Sequence, residues 1–285
     1  MPRARYCIGS TLLCCLLLIL ACGPVFAAPD PGAERDLWNI WKQQNAGTNA
    51  HAEIIAACQA FEKTYPNGEL VPVLQTLAAW HQLQLGQVAE ARSVFAKCLE
   101  PRGGGISRAA TEISRAWTTR LDILDLKKPL EFYYRREIEY PPSLAKLAGY
   151  KHLPAEMKPT LIDRWKLPFD YRLAGLRTMK LLRGQGYIIK SQKLGDYSDL
   201  STALSLPYGE AIQIEFGRVR RQQSGGELIE VRSASTADKS LAGKRLRPAT
   251  LNEGSKFGDV TLAYIGSNIV VVGDVNHWKI YPKPR

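Results

Sequence analysis

The sequence predicts an α+β protein with its helices first and an antiparallel β module last. Two observations carry this. Apolar residues recur at helical spacing through residues 36–126, and from Ala211 onward the period changes to short β-branched or aromatic runs separated by turn residues. A third observation, the run Arg102-Gly103-Gly104-Gly105, reads as a linker. It helps divide the chain into a helical module over 36–101, a mixed segment over 106–210 and a β module over 211–285.

Ahead of these segments, residues 1–27 read as a signal peptide. Arg3 and Arg5 make a positive start, and the apolar run from Ile8 to Ala21 is shorter than the about 20 residues a spanning helix needs. Three processing readings stand. Val25-Phe26-Ala27 fits ordinary cleavage before Ala28. Ile19-Leu20-Ala21-Cys22 fits lipid attachment at Cys22, with bulky Leu20 where a small residue is usual. The third is an uncleaved anchor. Each places the rest of the chain outside the cytosol, periplasmic or secreted, with a lipid on Cys22 as the expected tie to the membrane.

Without the two leader arginines the net charge falls from +11 to +9. The basic residues are scattered through RRE, KSQK, RVRR and GKRLR rather than gathered on one helix, which reads as a solvated surface. No aromatic-interleaved RNA motif occurs, so nucleic acid is not the expected partner. Beyond the leader only Cys58 and Cys98 remain. An oxidising compartment permits a disulfide, but both sit on helical segments among apolar neighbours and read as two buried, unbridged thiols.

In the helical module, Glu53–Lys63 puts Ile54, Ala57, Cys58 and Phe61 on one face, and Tyr65-Pro66-Asn67-Gly68 breaks the helix. Glu69–Leu85 and Gln87–Leu99 form two more helices around Gly86. The spacing of Ala79, Leu85-Gly86, Ala91, Phe95 and Pro101 resembles a tetratricopeptide repeat, which implies a small helical module that recognises a protein partner.

In the mixed segment, Ser107–Leu126 is an amphipathic helix with Ala110, Ile113, Ala116/Trp117, Leu121 and Leu124 on its apolar face. Pro129 ends or kinks it, and Leu130, Phe132, Tyr133 and Tyr134 continue that face to Tyr140-Pro141-Pro142. Ser143 is a candidate N-cap for the short helix SLAKL. Trp165, Phe169 and Tyr171 alternate and so share one face of a strand, with Pro168 at an edge or bulge.

The order Tyr140-Pro141, Leu144-x-x-Leu147, Asp163-Arg164-Trp165-Lys166-Leu167-Pro168-Phe169-Asp170-Tyr171 resembles the periplasmic domain of type II secretion major pseudopilins. Arg164 stands where that family has Pro, and Lys166 where it has Gly. The resemblance implies a long helix packed on a small antiparallel sheet. It also implies a calcium loop over 191–199, with Asp196 and Asp199 as ligands. Read alone, those residues make an Asx-turn at Asp196 and a helix N-cap at Ser198 or Asp199. The helix from Ser107 carries Glu112, Arg115, Arg120, Asp122 and Asp125, so it does not sit in lipid as a filament subunit's leading helix does.

In the β module, IQIEF, ELIEV, DVTLAYI, NIVVV and HWKIY alternate with turn signals at Ser224-Gly225-Gly226, Asn252-Glu253-Gly254, Gly266-Ser267-Asn268 and Gly273-Asp274. The stretch from Ala249 to Pro284 resembles the small β domain of inner-membrane secretion proteins and pilus lipoproteins. His51, His81, His152 and His277 are dispersed, and no HExxH, CxxC, nucleophile elbow or P-loop occurs. No catalytic residue and no cofactor beyond the implied calcium is expected. The expectation is a non-catalytic extracytoplasmic interaction or scaffold protein whose partners belong to a type II secretion or type IV pilus-like machine. The alternative is an envelope-polymer hydrolase or binding protein that reuses these folds.

Overall fold

Pro31 opens α1 (Pro31–Asn45) at the first helical position, where a missing N–H costs nothing. Ala33, Leu37, Ile40 and Trp41 then line one buried face. In α2 (His51–Thr64) the buried face is Ile54, Cys58 and Phe61, as the spacing predicts. α3 (Val71–Gln84) is buried around most of its circumference, as a helix between two others must be, and α4 (Val88–Lys97) returns after the Gly86 turn. α3 packs against both α2 and α4.

The computed structural model describes residues 30–46, 50–101, 103–174, 186–210, 212–222, 226–235 and 248–284. The expected leader with Cys22, the basic run at 243–247 and the glycine turn at 224–225 lie outside them. Among the described residues, no helix is long and apolar enough to cross a membrane.

The glycine run is not a linker. Gly103 precedes α5 (Gly104–Asp125), and Gly105 lies buried within it. A Cβ on residue 105 would sit 2.3 Å from the Ala263 carbonyl oxygen, so the glycine serves the close approach of helix to strand rather than motion. Leu126 ends α5 and starts α6 (Lys127–Glu137), with Pro129 in the first turn of the second helix.

Beyond α6 the chain forms a small lobe. Ser143 caps α7 (Leu144–Ala148), accepting a hydrogen bond from the Lys146 amide at 3.2 Å, as its sequence predicts. β1 (Asp170–Ala174) and β2 (Gly186–Lys190) pair antiparallel, with Tyr171 opposite Ile189 and Leu173 opposite Tyr187. Trp165 does not share this strand. It stands in a tight turn closed by buried Asp163, whose Oδ1 accepts from the Trp165 and Leu167 amides at 2.9 Å each. Asp163 Oδ2 accepts from Ser191 Oγ at 2.7 Å, tying the turn to the end of β2. The lobe's own core is Ile123, Leu126, Leu130, Leu144, Leu147 and Phe169, joined by Tyr133 and Ile189. α8 (Leu200–Leu204) leads back toward the main body.

There, β3 (Gln213–Arg221), β4 (Glu227–Ser235) and β5 (Ala249–Leu251) make a three-stranded antiparallel sheet. β6 (Lys256–Phe257), β7 (Val260–Ile265), β8 (Ile269–Gly273) and β9 (Trp278–Pro282) make a four-stranded one in chain order. Every residue of β8 is buried. Ile269 and Val271 face the helices, and Val270 and Val272 face the other sheet with Ile212, Ile229 and Val231. The strand therefore reads as a continuous apolar run because both its faces are covered. β7 bulges at Ala263, the residue that meets Gly105.

The fold is thus α+β, with helices, a four-stranded sheet and a three-stranded sheet in layers and the lobe on the far end of α5. Its apolar clusters do not follow the divisions 36–101, 106–210 and 211–285. Helices of the first segment, the start of α5 and strands of the last share one core, and residues Pro31–Arg285 form a single compact unit. Glu34, fully buried on α1, accepts from Tyr264 Oη at 3.0 Å and from the Ser267 and Asn268 amides at 2.7 and 2.8 Å, which fastens the helices to the β7–β8 turn.

Candidate functional site

The interior holds the densest chemistry. Arg120 lies on the buried face of α5, one turn beyond Trp117, and is 0% exposed. Its Nε donates to the Tyr197 carbonyl at 2.8 Å and its Nη2 to Asn276 Oδ1, while its guanidinium lies 4.5 Å from the Trp117 ring centroid. Burial lowers its pKa to about 9, against the pull of Asp274. Asp274 accepts from the Asn276 and His277 amides at 2.7 and 2.6 Å, and burial pushes its carboxyl up to about 6. The turn it organises is pinned to the helices from both sides. Trp117 Nε1 donates to the Asn276 carbonyl at 2.8 Å, and Trp278 Nε1 donates to Thr76 Oγ1 at 2.7 Å. With Arg120, Asp274 and His277 at 0, 7 and 1% exposure, the cluster is fit for holding the turn in place rather than for meeting a substrate.

Sequence reasoning passed over this cluster, counting Arg120 only among the charges that keep α5 out of lipid. Its position three residues after Trp117, on the apolar stripe, was the available signal. The four histidines are not all dispersed in space. The Nδ1 atoms of His51 and His81 approach to 2.8 Å, and Trp80 and Tyr208 bring His277 close by.

Both carboxylates of the implied calcium loop are engaged within the chain in this structure. Asp196 is engaged by Lys190 Nζ at 2.5 Å, which holds its carboxyl below the usual range. Asp199 is the N-cap of α8, accepting from the Thr202 amide at 3.0 Å and from Ser201 Oγ. With a cation on one carboxylate and a cap on the other, backbone carbonyls and water would have to supply most of the six to eight oxygens that a calcium ion takes. Among the described residues, no group of three or more His, Cys, Asp or Glu is placed to share a metal ion. Cys58 and Cys98 are buried and unbridged, and burial pushes the Cys58 thiol up to about 12.

A cleft of about 250 Å³ beside the end of α5 is lined by Asp122, Asp125, Lys128 and Glu156, among others. Its aspartates are committed elsewhere. Arg164 holds both oxygens of Asp122 at 2.6 and 2.9 Å, and Arg92 reaches Asp122 at 2.9 Å and Asp125 at 2.6 Å. Two guanidiniums therefore occupy this pair of carboxylates.

The surface of the lobe is different in kind. Tyr134 stacks on Tyr140 at 4.7 Å between centroids, Tyr140 meets Tyr187 edge-on at 4.9 Å, and Tyr187 lies 6.2 Å from Tyr171. Tyr171 Oη donates to the Pro141 carbonyl at 2.8 Å, which fixes the Tyr-Pro turn onto β1. Burial and neighbouring tyrosines push Tyr171 up to about 12, and burial with Tyr140 and Glu131 does the same for Tyr187, so these two hydroxyls stay neutral. Next to it, Ile138 ends α6 in the left-handed conformation (φ +61°) with 80% of its surface exposed. A β-branched residue there is strained, since glycine is the usual occupant of that cap. Leu173 and Ile188 on the hairpin are also exposed apolar side chains. Sequence reasoning placed Tyr134 on an apolar helix face and Tyr171 on a strand face, and had no means of seeing a left-handed isoleucine. Comparison of the chain with protein-family models, with curated proteins and with solved structures returns no match.

Proposed function

We propose that this chain is a non-catalytic extracytoplasmic interaction protein, and that the tyrosine row with Ile138 is where a protein partner docks. The observation that carries the reading is Ile138. It sits at a position whose backbone favours glycine, and it spends an apolar side chain on solvent near half-buried Tyr134 and Tyr140, with Arg135, Arg136, Glu137 and Glu139 exposed around it in sequence. Tyrosine and arginine around an apolar anchor are the composition of binding hot spots, and strain retained without packing benefit is a mark of function. The partner class is a component of a type II secretion or type IV pilus-like machine. Supporting this, Lys166 takes φ +65° where the pseudopilin-like pattern carries glycine, so the turn from Asp163 keeps the backbone which that pattern requires. In this reading α2–α4 form the tetratricopeptide-like module and the lobe a pseudopilin-like domain detached from any filament.

The test uses Ile138→Gly. It should stabilise the fold by about 1 kcal/mol through relief of the left-handed strain, and weaken capture of secretion or pilus components from envelope fractions at least tenfold. Equal capture by both proteins, or recovery of no such component by the wild type, would overturn the proposal. The cleft at Asp122 and Asp125 favours the second reading, an envelope-polymer hydrolase or binding protein. Loss of a polymer-cleaving activity in Asp125→Asn would establish it.

A further inference from the structure

His51 sits at the start of α2 and His81 in the last turn of α3, with their Nδ1 atoms 2.8 Å apart and ring centroids 5.1 Å apart. At that distance one nitrogen must carry the proton and the other the lone pair. Two N–H groups cannot face each other there. His81 is 1% exposed, and its Nε2 has no acceptor among the described residues, so a second proton on this ring has nowhere to be received.

His277 repeats the situation from the other side of the core. It is 1% exposed, ringed by Trp80, Trp117 and Tyr208 at 6.3, 5.9 and 4.6 Å between centroids, and its Nε2 also lacks an acceptor. The charged and titratable groups around it are Arg120 on α5, Asp274 in its own turn and Tyr208, with Asp259 acting on Asp274 and Cys58 on Tyr208. Around His81 the facing titratable group is His51. The nearest cation to His277, Arg120, repels a second positive charge.

We propose that the His51–His81 pair and His277 form a proton-sensitive latch whose protonation undocks the Asp274–His277 turn and the α2–α3 pair from the core. The three rings stand where helices and the four-stranded sheet meet, and Trp80 touches all of them, at 6.2 Å from His51, 5.0 Å from His81 and 6.3 Å from His277. Charging His277 therefore puts an unmatched cation beside Trp117, whose bond holds the turn, and charging His81 puts one against Trp80 in the same aromatic cluster.

The sign follows from the direction of each shift. Burial, with His51 or Arg120 nearby, lowers both His81 and His277 to about 3 in the fold. Their stabilisation is whole above an unfolded pKa of about 6.5 and is lost as pH falls from there toward the folded value. Asp274 opposes this. Its folded carboxyl takes a proton at about 6 against an ordinary 3.8, so acid favours the fold between those values. Two histidines against one carboxyl leave a net loss of up to about tenfold in the folding constant per pH unit between 6 and 4.

The experiment is urea unfolding of the full chain from pH 7.5 to 3.5, read by tryptophan fluorescence. Between pH 6 and 4 the double variant His81→Gln/His277→Gln should reverse the slope, gaining up to about tenfold per pH unit from Asp274 alone, and Asp274→Asn should steepen the wild-type loss by up to about tenfold per pH unit. Slopes unchanged in both would overturn the latch. Should the double variant not fold, the ring proton signals of the wild type decide. Resonances of His81 and His277 that stay in their neutral positions to pH 5 support the proposal. Titration of both near pH 6.5 with the fold intact overturns it.

Discussion

The main body and the lobe bury their sequence in opposite ways. In the main body the apolar cluster closes over Arg120, Asp274 and His277, and each aromatic N–H that holds the β8–β9 turn has its acceptor inside. The lobe has a small apolar core and completes its cover with half-buried tyrosines, leaving Ile138, Leu173 and Ile188 outside. A body that is polar within and quiet without is suited to carrying something. A lobe that is apolar without is suited to touching something. The difference teaches that the polar richness of a region is no guide to where it acts: the most perturbed ionisable groups here lie where no ligand can reach them.

The largest expected effect breaks the body's side of this comparison. Arg120→Ala removes the donors to the Tyr197 carbonyl and Asn276 and leaves Asp274 buried without its nearest cation. We expect a loss of about 3–5 kcal/mol, the range for breaking a buried charged network, measured from urea midpoints. Arg120→Met, which fills the volume and spares the packing on Trp117, should recover part of it. If alanine costs less than about 1 kcal/mol, the cluster is not what fixes the turn.

Much of the body was legible beforehand because its signals are local. Ile54, Cys58 and Phe61 declare a helix face by spacing alone, and NIVVV declares a strand whatever lies on either side of it. What could not be read depends on neighbours distant in sequence. Gly105 looks like a linker residue until the Ala263 carbonyl is placed 2.3 Å from its missing Cβ. Arg120 looks like a solvated charge until Tyr197 and Asn276, 77 and 156 residues away, become its acceptors. Trp165 fits a strand by alternation, yet Asp163 captures the amides of Trp165 and Leu167 and makes a turn instead. The candidate surface was legible only as composition: its tyrosines were visible, but their stacking and the conformation of Ile138 were not.

A second, intermediate effect tests whether body and lobe are separate cooperative units. Asp163→Ala strips a buried acceptor from the Trp165 and Leu167 amides and from Ser191 Oγ, at a cost of about 2–4 kcal/mol. We expect hydrogen exchange to quicken through β1, β2 and the Asp163 turn while β8 keeps its protection, because the lobe's apolar cluster is distinct from the two that enclose β8. Loss of protection in β8 to the same degree would mean that α5, which enters both cores, couples them into one.

The smallest effect sharpens the lobe's side. Lys166 and Ile138 are the non-glycine residues with positive φ among those described, and both lie in this part of the chain, at +65° and +61°. The Lys166 side chain is exposed, so a glycine there loses no packing. Lys166→Gly removes the left-handed penalty but loosens the unfolded chain, and the two nearly cancel to leave a gain of up to about 1 kcal/mol. Ile138→Gly should gain in the same way. What separates them is binding. The Lys166 amide donates to the Asp163 carbonyl within a turn, so on this reading its glycine variant should keep full partner capture while the Ile138 variant loses it. If both variants bind alike, strain in the lobe is a property of its turns and not of its surface, and Ile138 loses its claim as an anchor.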